Sequence, residues 1–161
     1  MENEELIEVK IGALIMDPNT NTPIVVLKGV ESEAVLPIWV GAFEANAIAL
    51  EIEKVVPERP MTHDLLRNAI MECGLTAGRV IITDLLENTF YARIELTDDT
   101  GSPVMLDSRP SDAVALALRL DCPIFVRSRV LELSARSTTP PADAATEDQA
   151  ASPDEWPDLI G

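Results

Sequence analysis

The sequence predicts an α+β domain in which three strands followed by helices occur twice. Runs of β-branched and apolar residues, separated by turn-rich segments, recur in each half of the chain, and an Ala-rich helical stretch follows each set of strands. The helical stretch 112–120 is apolar nearly all round, which is typical of a helix that is buried on more than one side. We therefore expect three layers, with the helices packed between two sheets (sheet/helices/sheet).

In the first half, strands are predicted from β-branched or frequently recurring apolar residues at about 6–16, 23–29 and 35–40. Apolar residues at helical spacing predict a helix over about 42–55. A second helix is predicted from Thr62, which we expect to act as its N-cap, to about Cys73. Gly74 then ends it, because glycine readily adopts the left-handed backbone of a helix terminus.

The second half repeats this order, with strands predicted at about 79–86, 89–97 and 103–107. Ser111 is expected to cap a helix that runs to about Leu120. A short strand over 123–126 and a helical segment near 128–134 complete the predicted domain, which covers residues 1–134.

A constant sequence offset relates the two halves. Pro37 and Pro103 lie 66 residues apart (103 minus 37), and the same offset pairs Ala47–Leu50 with Ala113–Leu116. An offset that matches strand with strand and helix with helix predicts an internal duplication, with repeats at about 6–74 and 75–134. The alternative is coincidence, because any strand that precedes an Ala-rich helix looks similar.

The composition is acidic, with 28 Asp and Glu against 12 Lys and Arg and a formal net charge of −16. Such a surface repels phosphate backbones at long range, because polyanion binding depends on protein cations that release counterions. Nucleic acid is therefore disfavoured as a partner by net charge, and any contact with it must be local or mediated by a bound cation.

The remaining composition features concern the cysteines and the cellular location. Cys73 and Cys122 lie in apolar settings without CxxC spacing, which favours buried free thiols over a disulfide or a metal site. The acidic N-terminus lacks the basic flank and apolar run of a signal peptide, and no apolar stretch is long enough to cross a bilayer. We expect a cytoplasmic protein that does not associate with membranes.

Polar differences between the two halves indicate a first candidate site. At the 66-residue offset, the second copy carries a charged cluster where the first copy has Gly41, Phe43, Ala45 and Asn46; the cluster is Asp107, Arg109, Ser111 and Asp112. The exposed N–H groups and positive dipole end of a helix start favour an anion there. The alternative is ordinary helix punctuation, in which these residues cap the helix and pair with one another.

A second polar cluster surrounds His63, the only histidine of the chain. Next to Asp64 at a helix start, it would suit a general base or a neutral metal ligand, although a solvated first-turn histidine is an equally ordinary structure. Glu44, Asp107 and Asp112, with Asp64, offer oxygen ligands for Mg²⁺ or Mn²⁺ without a diagnostic spacing. We interpret Arg119 as a surface helix charge and Tyr91 as a core or rim residue.

Several sequence blocks resemble the bifunctional nuclease domain family, which is also catalogued as a family of unknown function. They occur in the family's order and extend the resemblance over about Val9 to Leu133: Leu36–Gly41 followed by Glu44–Ala45, Arg59–Leu66, Asp84–Leu85 with Thr89–Ala92, and Asp107–Arg119. The resemblance implies an α+β fold of two strand-rich repeats. It also implies nuclease activity on DNA and RNA, as described for some plant members.

The family's signature residues fall on the two polar clusters. We accordingly expect His63, Asp64, Arg109 and Asp112 to be catalytic, and Arg109, Ser111 and Thr62 to bind substrate. Asp107, Asp112 and Glu44 are the candidate ligands of a divalent cation, Mg²⁺ or Mn²⁺, with no other cofactor. The alternative to a nuclease is a non-catalytic oligomeric scaffold or small-anion-binding module.

The last part of the chain, 135–161, is acidic and rich in Pro, Ala and Thr, a composition typical of a flexible tail. Within it, 152–160 combines a capping-box pattern at Ser152 and Glu155 with the apolar residues Trp156, Leu159 and Ile160. This segment is a candidate docking peptide for a partner subunit, and a frayed terminus is the alternative. We expect the protein to form a homo-oligomer, a dimer.

Overall fold

A computed structural model describes residues 5–136, which form seven strands and four helices. In chain order the elements are β1 (Leu6–Met16), β2 (Pro23–Gly29), β3 (Val35–Trp39), α1 (Ala42–Ile52), α2 (Thr62–Glu72), β4 (Thr76–Leu86), β5 (Thr89–Thr97), β6 (Pro103–Ser108), α3 (Pro110–Leu120), β7 (Ile124–Arg127) and α4 (Ser128–Arg136). The α+β class and the order of elements predicted from the sequence are confirmed.

The described strands form one mixed sheet in the order β3-β2-β1-β7-β4-β5-β6. β7 is the connecting strand, because it pairs antiparallel with β1 on one side and parallel with β4 on the other. The prediction of two separate sheets is therefore corrected to a single sheet with two halves. Pairing of β7 with a strand more than a hundred residues earlier leaves no local signal in the sequence.

Helix α3 lies at the centre of the core. It packs against α1, α2, β4 and β5, and the five residues Ala113–Ala117 are at most 1% exposed. Three of these five are alanines, whose small side chains allow neighbouring backbones to approach closely. The prediction of a helix buried on more than one side is confirmed. Helix α4 packs separately against β3, β4 and β7.

The two predicted N-caps are each inside their helix. Met61 is the N-cap of α2 and Arg109 is the N-cap of α3, so Thr62 and Ser111 occupy the first and second helical positions. At α2 the Asp64 carboxylate, at the third helical position, accepts a hydrogen bond from the N–H of the N-cap Met61. At α3 a proline at the first position suits a helix start. The predicted end of α2 is correct, because Gly74 has a φ of +73°.

Each half consists of three antiparallel strands followed by a helix, in the order β1–β2–β3–α1 and β4–β5–β6–α3. The two helices start 68 residues apart (110 minus 42), two more than the offset read from the sequence. At the helix starts, Glu44 therefore corresponds to Asp112. Both are the third residue of their helix. The internal duplication itself stays a prediction.

Both cysteines are free thiols, as predicted, but the expected burial is wrong for Cys73, which is exposed. Cys122 is partly buried, and burial together with the charge of Asp121 raises the pKa of its thiol. Between residues 5 and 136, no helix is both long and apolar enough to span a membrane. The candidate docking segment 152–160 and all but the first two residues of the predicted tail lie outside the described residues.

Candidate active site

A cleft of about 880 Å³ opens where the starts of α1, α2 and α3 meet the hairpin of β5 and β6. Its lining includes residues of both predicted polar clusters, so the two clusters face one cavity. They are brought together because α3 packs against both α1 and α2. The aromatic side chains of Phe43 and Tyr91 also line the cleft and are 60% and 41% exposed.

His63 and Asp112 form the first contact between the clusters. His63 lies in the first turn of α2 with its side chain 14% exposed, and its Nε2 is 2.9 Å from Asp112 Oδ1. Hydrogen bonding to His63, aided by Arg109 and opposed by burial, holds the pKa of Asp112 below its ordinary value. Because an ionised carboxylate only accepts hydrogen bonds, we assign a proton to Nε2.

Arg109 extends this contact along the cleft. Its Nε donates to Asp112 Oδ2 at 2.9 Å, and its Nη2 donates to Glu44 Oε1, also at 2.9 Å. The bonds to Asp112 and Glu44 raise the pKa of the guanidinium despite its partial burial, so Arg109 stays cationic. Its side chain is 44% exposed, which leaves it accessible from the cleft. A continuous series of hydrogen bonds therefore connects His63 to Asp112, Asp112 to Arg109 and Arg109 to Glu44.

Glu44, predicted as a metal ligand, bonds Arg109 in this chain of contacts. Its side chain is 13% exposed, and its Oε2 is buried and accepts no hydrogen bond from the described residues. Glu44 and Asp112, at equivalent places in α1 and α3, hold Arg109 from two sides. Comparison of the two halves at the 66-residue offset missed this correspondence. Comparison of the helix starts would have found it.

Asp64 lies next to His63 but contacts other partners. Its Oδ1 accepts a hydrogen bond from Arg119 Nε at 2.8 Å, and its Oδ2 accepts one from the Met61 N–H at 3.0 Å. The bond from Arg119 is the main reason that the pKa of Asp64 lies below its ordinary value. Asp64 therefore joins α2 to α3, and its predicted catalytic role stays a prediction.

The other predicted site residues differ in access to the cleft. Thr62 is exposed and lines it from the first position of α2, whereas Ser111 is only 8% exposed within the core. Asp107 is exposed at the end of β6 and lines the cleft. The substrate-binding roles of Thr62 and Ser111 stay predictions.

The candidate metal ligands do not form a ligand set in this arrangement. In the described part of the chain, no group of three or more His, Cys, Asp or Glu side chains is placed to hold a metal ion. The two oxygens of Asp112 already bond His63 and Arg109, and one oxygen of Glu44 bonds Arg109. These carboxylates are therefore not arranged as a binding site for a divalent cation, and metal dependence stays a prediction.

The interpretation of Arg119 as a surface helix charge is wrong. Arg119 is not a surface charge, because its side chain is only 4% exposed and bonds Asp64 on the neighbouring helix. A signal was available in the sequence: Arg119 lies seven residues after Asp112, hence on the same face of an otherwise apolar helix. A charged residue on a buried helix face requires a partner.

The comparisons identify the family. Residues 25–139, well over half of the chain, match the family model described as the bifunctional nuclease domain. The chain belongs to the bifunctional nuclease domain family. Both polar clusters of the cleft lie inside the matched region, so the contacts from His63 to Glu44 are a feature of the bifunctional nuclease domain in this chain.

The match to this chain covers different shares of the length of its relatives. An uncharacterized protein of Mycobacterium tuberculosis (strain ATCC 25618 / H37Rv) is 43% identical over 124 residues, which are 77% of this chain and 73% of that protein. Bifunctional nuclease 2 of Oryza sativa subsp. japonica is 30% identical over 112 residues, 68% of this chain and 34% of that protein. Bifunctional nuclease 1 of Oryza sativa subsp. indica is 26% identical over 101 residues, 62% of this chain and 30% of that protein.

Proposed function

We propose that this protein is a nuclease that hydrolyses phosphodiester bonds of DNA and RNA at the cleft between α1, α2 and α3. The observation that carries the proposal is the hydrogen-bonded connection of His63, Asp112 and Arg109 along one cavity. An orienting carboxylate, an imidazole and a guanidinium are side chains that general acid–base catalysis of phosphoryl transfer uses. Membership of the bifunctional nuclease domain family supports the same reaction class.

In the proposed reaction Asp112 holds the His63 ring through Nε2–H, so that Nδ1 faces the proton to be moved. His63 takes a proton from an attacking water, whose oxygen forms the new bond to phosphorus. The bond from phosphorus to the leaving sugar oxygen breaks, and the proton passes from His63 to that oxygen. Arg109 contacts the phosphate and offsets the negative charge that builds on its oxygens.

The cleft favours a single strand over a duplex. Phe43 and Tyr91 are exposed and line the same cleft as Arg109, and aromatic faces can stack on unpaired bases. The net charge of −16 does not support extended backbone binding, so the contact that we propose is short and local. A divalent cation would reduce this repulsion, and its involvement is part of what the assay must decide.

The test is cleavage of end-labelled single-stranded DNA and RNA by the wild type, His63→Ala and Arg109→Ala. Each assay is run with EDTA and, in parallel, with Mg²⁺ or Mn²⁺. We expect each substitution to lower kcat/KM by roughly 100-fold or more, because it removes a proton-transfer group or a charge-stabilising group. Activity that persists in EDTA would remove the cation from the proposal and leave the role of His63 unchanged.

Arg79→Ala is the matched control. Arg79 is 40% exposed and bonds Glu95, which is 15% exposed, so its environment resembles that of Arg109 and Glu44, but it lies on β4 and outside the cleft lining. Equal residual activity in the wild type and both cleft variants would show that a contaminant cleaves the substrate. That result would overturn the proposal.

The second candidate function is a non-catalytic small-anion-binding or oligomeric scaffold module. The acidic surface favours it, because a small anion is repelled less than a nucleic acid strand. Thermal-shift measurements separate the two, since a ligand that binds only the folded state raises Tm. Stabilisation by inorganic phosphate that is lost in Arg109→Ala, without any cleavage, would favour the module. The dimer and the cytoplasmic location stay predictions.

A further inference from the structure

Helix α2 contacts α3 through two neighbouring residues. His63 reaches Asp112 at 2.9 Å, and Asp64 reaches Arg119 at 2.8 Å. Asp112 and Arg119 are seven residues apart, so they lie on the same face of α3 about two turns, or roughly 10 Å, from each other. The start of α2 is thus attached to α3 at two points, of which only the first belongs to the proposed catalytic contacts.

The second attachment is built around one buried guanidinium. With its side chain 4% exposed, Arg119 donates from Nε to Asp64, from Nη1 to the Ala115 carbonyl at 2.9 Å, and from Nη2 to the Ala47 carbonyl at 2.9 Å. These acceptors belong to α2, α3 and α1. The planar guanidinium holds its donors in a rigid fork, so their directions fix the relative placement of the three helices.

Asp64 transmits this placement to the start of α2. One of its oxygens accepts from Arg119, and the other accepts from the N–H of Met61, the N-cap of α2. One turn further along, Arg67 Nε donates to the Arg119 carbonyl at 3.2 Å. The first turn of α2, which carries His63, is therefore bound to Arg119 through both its cap and its following turn.

We propose that Arg119 is a positioning residue, which acts through Asp64 to hold the start of α2 where His63 Nε2 meets Asp112. Arg119 borders the cleft, but its side chain is only 4% exposed and its Nε, Nη1 and Nη2 donate to protein acceptors, so it supports the site rather than reacting with substrate. The proposal rests on the proposed function only for its effect on catalysis. The effect on the His63–Asp112 hydrogen bond is independent of any activity.

The single histidine makes that hydrogen bond directly observable. In ¹⁵N-labelled protein every imidazole signal belongs to His63, and a ring N–H that bonds a carboxylate exchanges slowly with water. The Nε2–H signal is assigned by its loss in Asp112→Ala, which removes the acceptor oxygens. We expect it to disappear in Arg119→Met and to weaken in Arg119→Lys, because an ammonium can bond Asp64 but cannot reproduce the fork.

Arg79→Met is the control, because it removes an arginine of another ion pair that lies outside the cleft and should leave the His63 signal unchanged. Circular dichroism and Tm establish that each variant is folded. If Arg119→Met does not fold, Arg119→Lys and Asp64→Ala decide the matter, because alanine removes the acceptor of the Arg119 Nε–H bond. A wild-type Nε2–H signal in any folded variant of Arg119 or Asp64 would overturn the proposal.

The catalytic effect provides a second, separable result. In a nuclease-active protein, we expect Arg119→Lys to lower kcat by roughly 10- to 100-fold with little change in KM, because a misplaced general base slows the chemical step. Loss of the His63 signal in a protein without nuclease activity would support the positioning role and contradict the proposed function. A His63 signal that is unchanged in the Arg119 variants of a nuclease-active protein would contradict the positioning role and support the proposed function.

Discussion

At the scale of single residues, the site depends on how a few charged side chains are paired. Asp64 and Asp112 each accept hydrogen bonds from cationic or N–H partners, and their pKa values are lowered as a result. A carboxyl whose pKa is lower in the folded than in the unfolded state stabilises the protein above its unfolded pKa. That stability is lost as pH falls through the folded pKa.

The lowered pKa of Asp64 gives a prediction for the stability of Asp64→Asn at different pH values. Near pH 6 the substitution should lower the free energy of unfolding by about 2 kcal/mol, the usual contribution of a hydrogen bond to a charged group. As pH falls below the ordinary aspartate pKa of 3.8, the wild type loses the same contribution, so the two proteins converge. Urea unfolding at a series of pH values measures the difference. A difference that stays constant down to about pH 2 would contradict the Asp64–Arg119 pair, because protonation removes it.

At the scale of elements, the C-cap residues of the two equivalent helices differ in backbone conformation. The C-cap of α3, Asp121, has a φ of +54°, whereas the C-cap of α1, Glu53, has a φ of −80°. A left-handed backbone is costly for a residue with a Cβ and costs glycine little. An acidic side chain at a helix C-terminus also meets the negative end of the dipole.

Asp121→Gly should therefore stabilise the protein by about 1 kcal/mol, since it relieves both costs. Glu53→Gly is the matched control. Its right-handed backbone gains nothing from glycine, so the extra freedom of the unfolded chain should destabilise the protein by roughly 0.5–1 kcal/mol. Urea denaturation of the three proteins provides the comparison. Equal effects of the two substitutions would show that the backbone at Asp121 is not the cause.

At the scale of the whole molecule, charge and site have opposite effects on a polyanionic substrate. The net charge of −16 repels phosphates at long range, while in the proposed function Arg109, which lines the cleft, attracts one of them locally. Long-range interactions are screened by salt far more than close contacts are. The rate at which a nucleic acid reaches the cleft should therefore be limited by repulsion at low ionic strength.

We accordingly expect kcat/KM for a single-stranded oligonucleotide to rise by roughly two- to tenfold between about 20 and 150 mM NaCl. A dinucleotide carries fewer charges and should show a smaller increase, which makes it the control substrate. Steady-state kinetics over the salt series measures both. A steep fall with salt, typical of counterion release from a basic surface, would show that the substrate contacts more cations than the cleft contains.

What the sequence determined by itself is the kind of elements and the identity of most polar groups at the site. Strand and helix periods are local properties, so β2 and β5 were predicted at their observed bounds. The lone histidine and the charged second copy indicated His63, Arg109 and Asp112, which do line one cleft. Short sequence patterns carry this information because the residue types in a segment reflect the backbone conformation and the burial of that segment.

Only the tertiary structure decided how these parts meet. The single sheet depends on β7 pairing with both β1 and β4, and the role of Arg119 depends on acceptors in α1 and α2 that lie 72 and 55 residues away. Glu44 was a candidate metal ligand in the sequence, but its pairing with Arg109 depends on the packing of α1 on α3. Contacts of this kind are set by the packing of whole elements around a shared core, and no short stretch of sequence contains both partners.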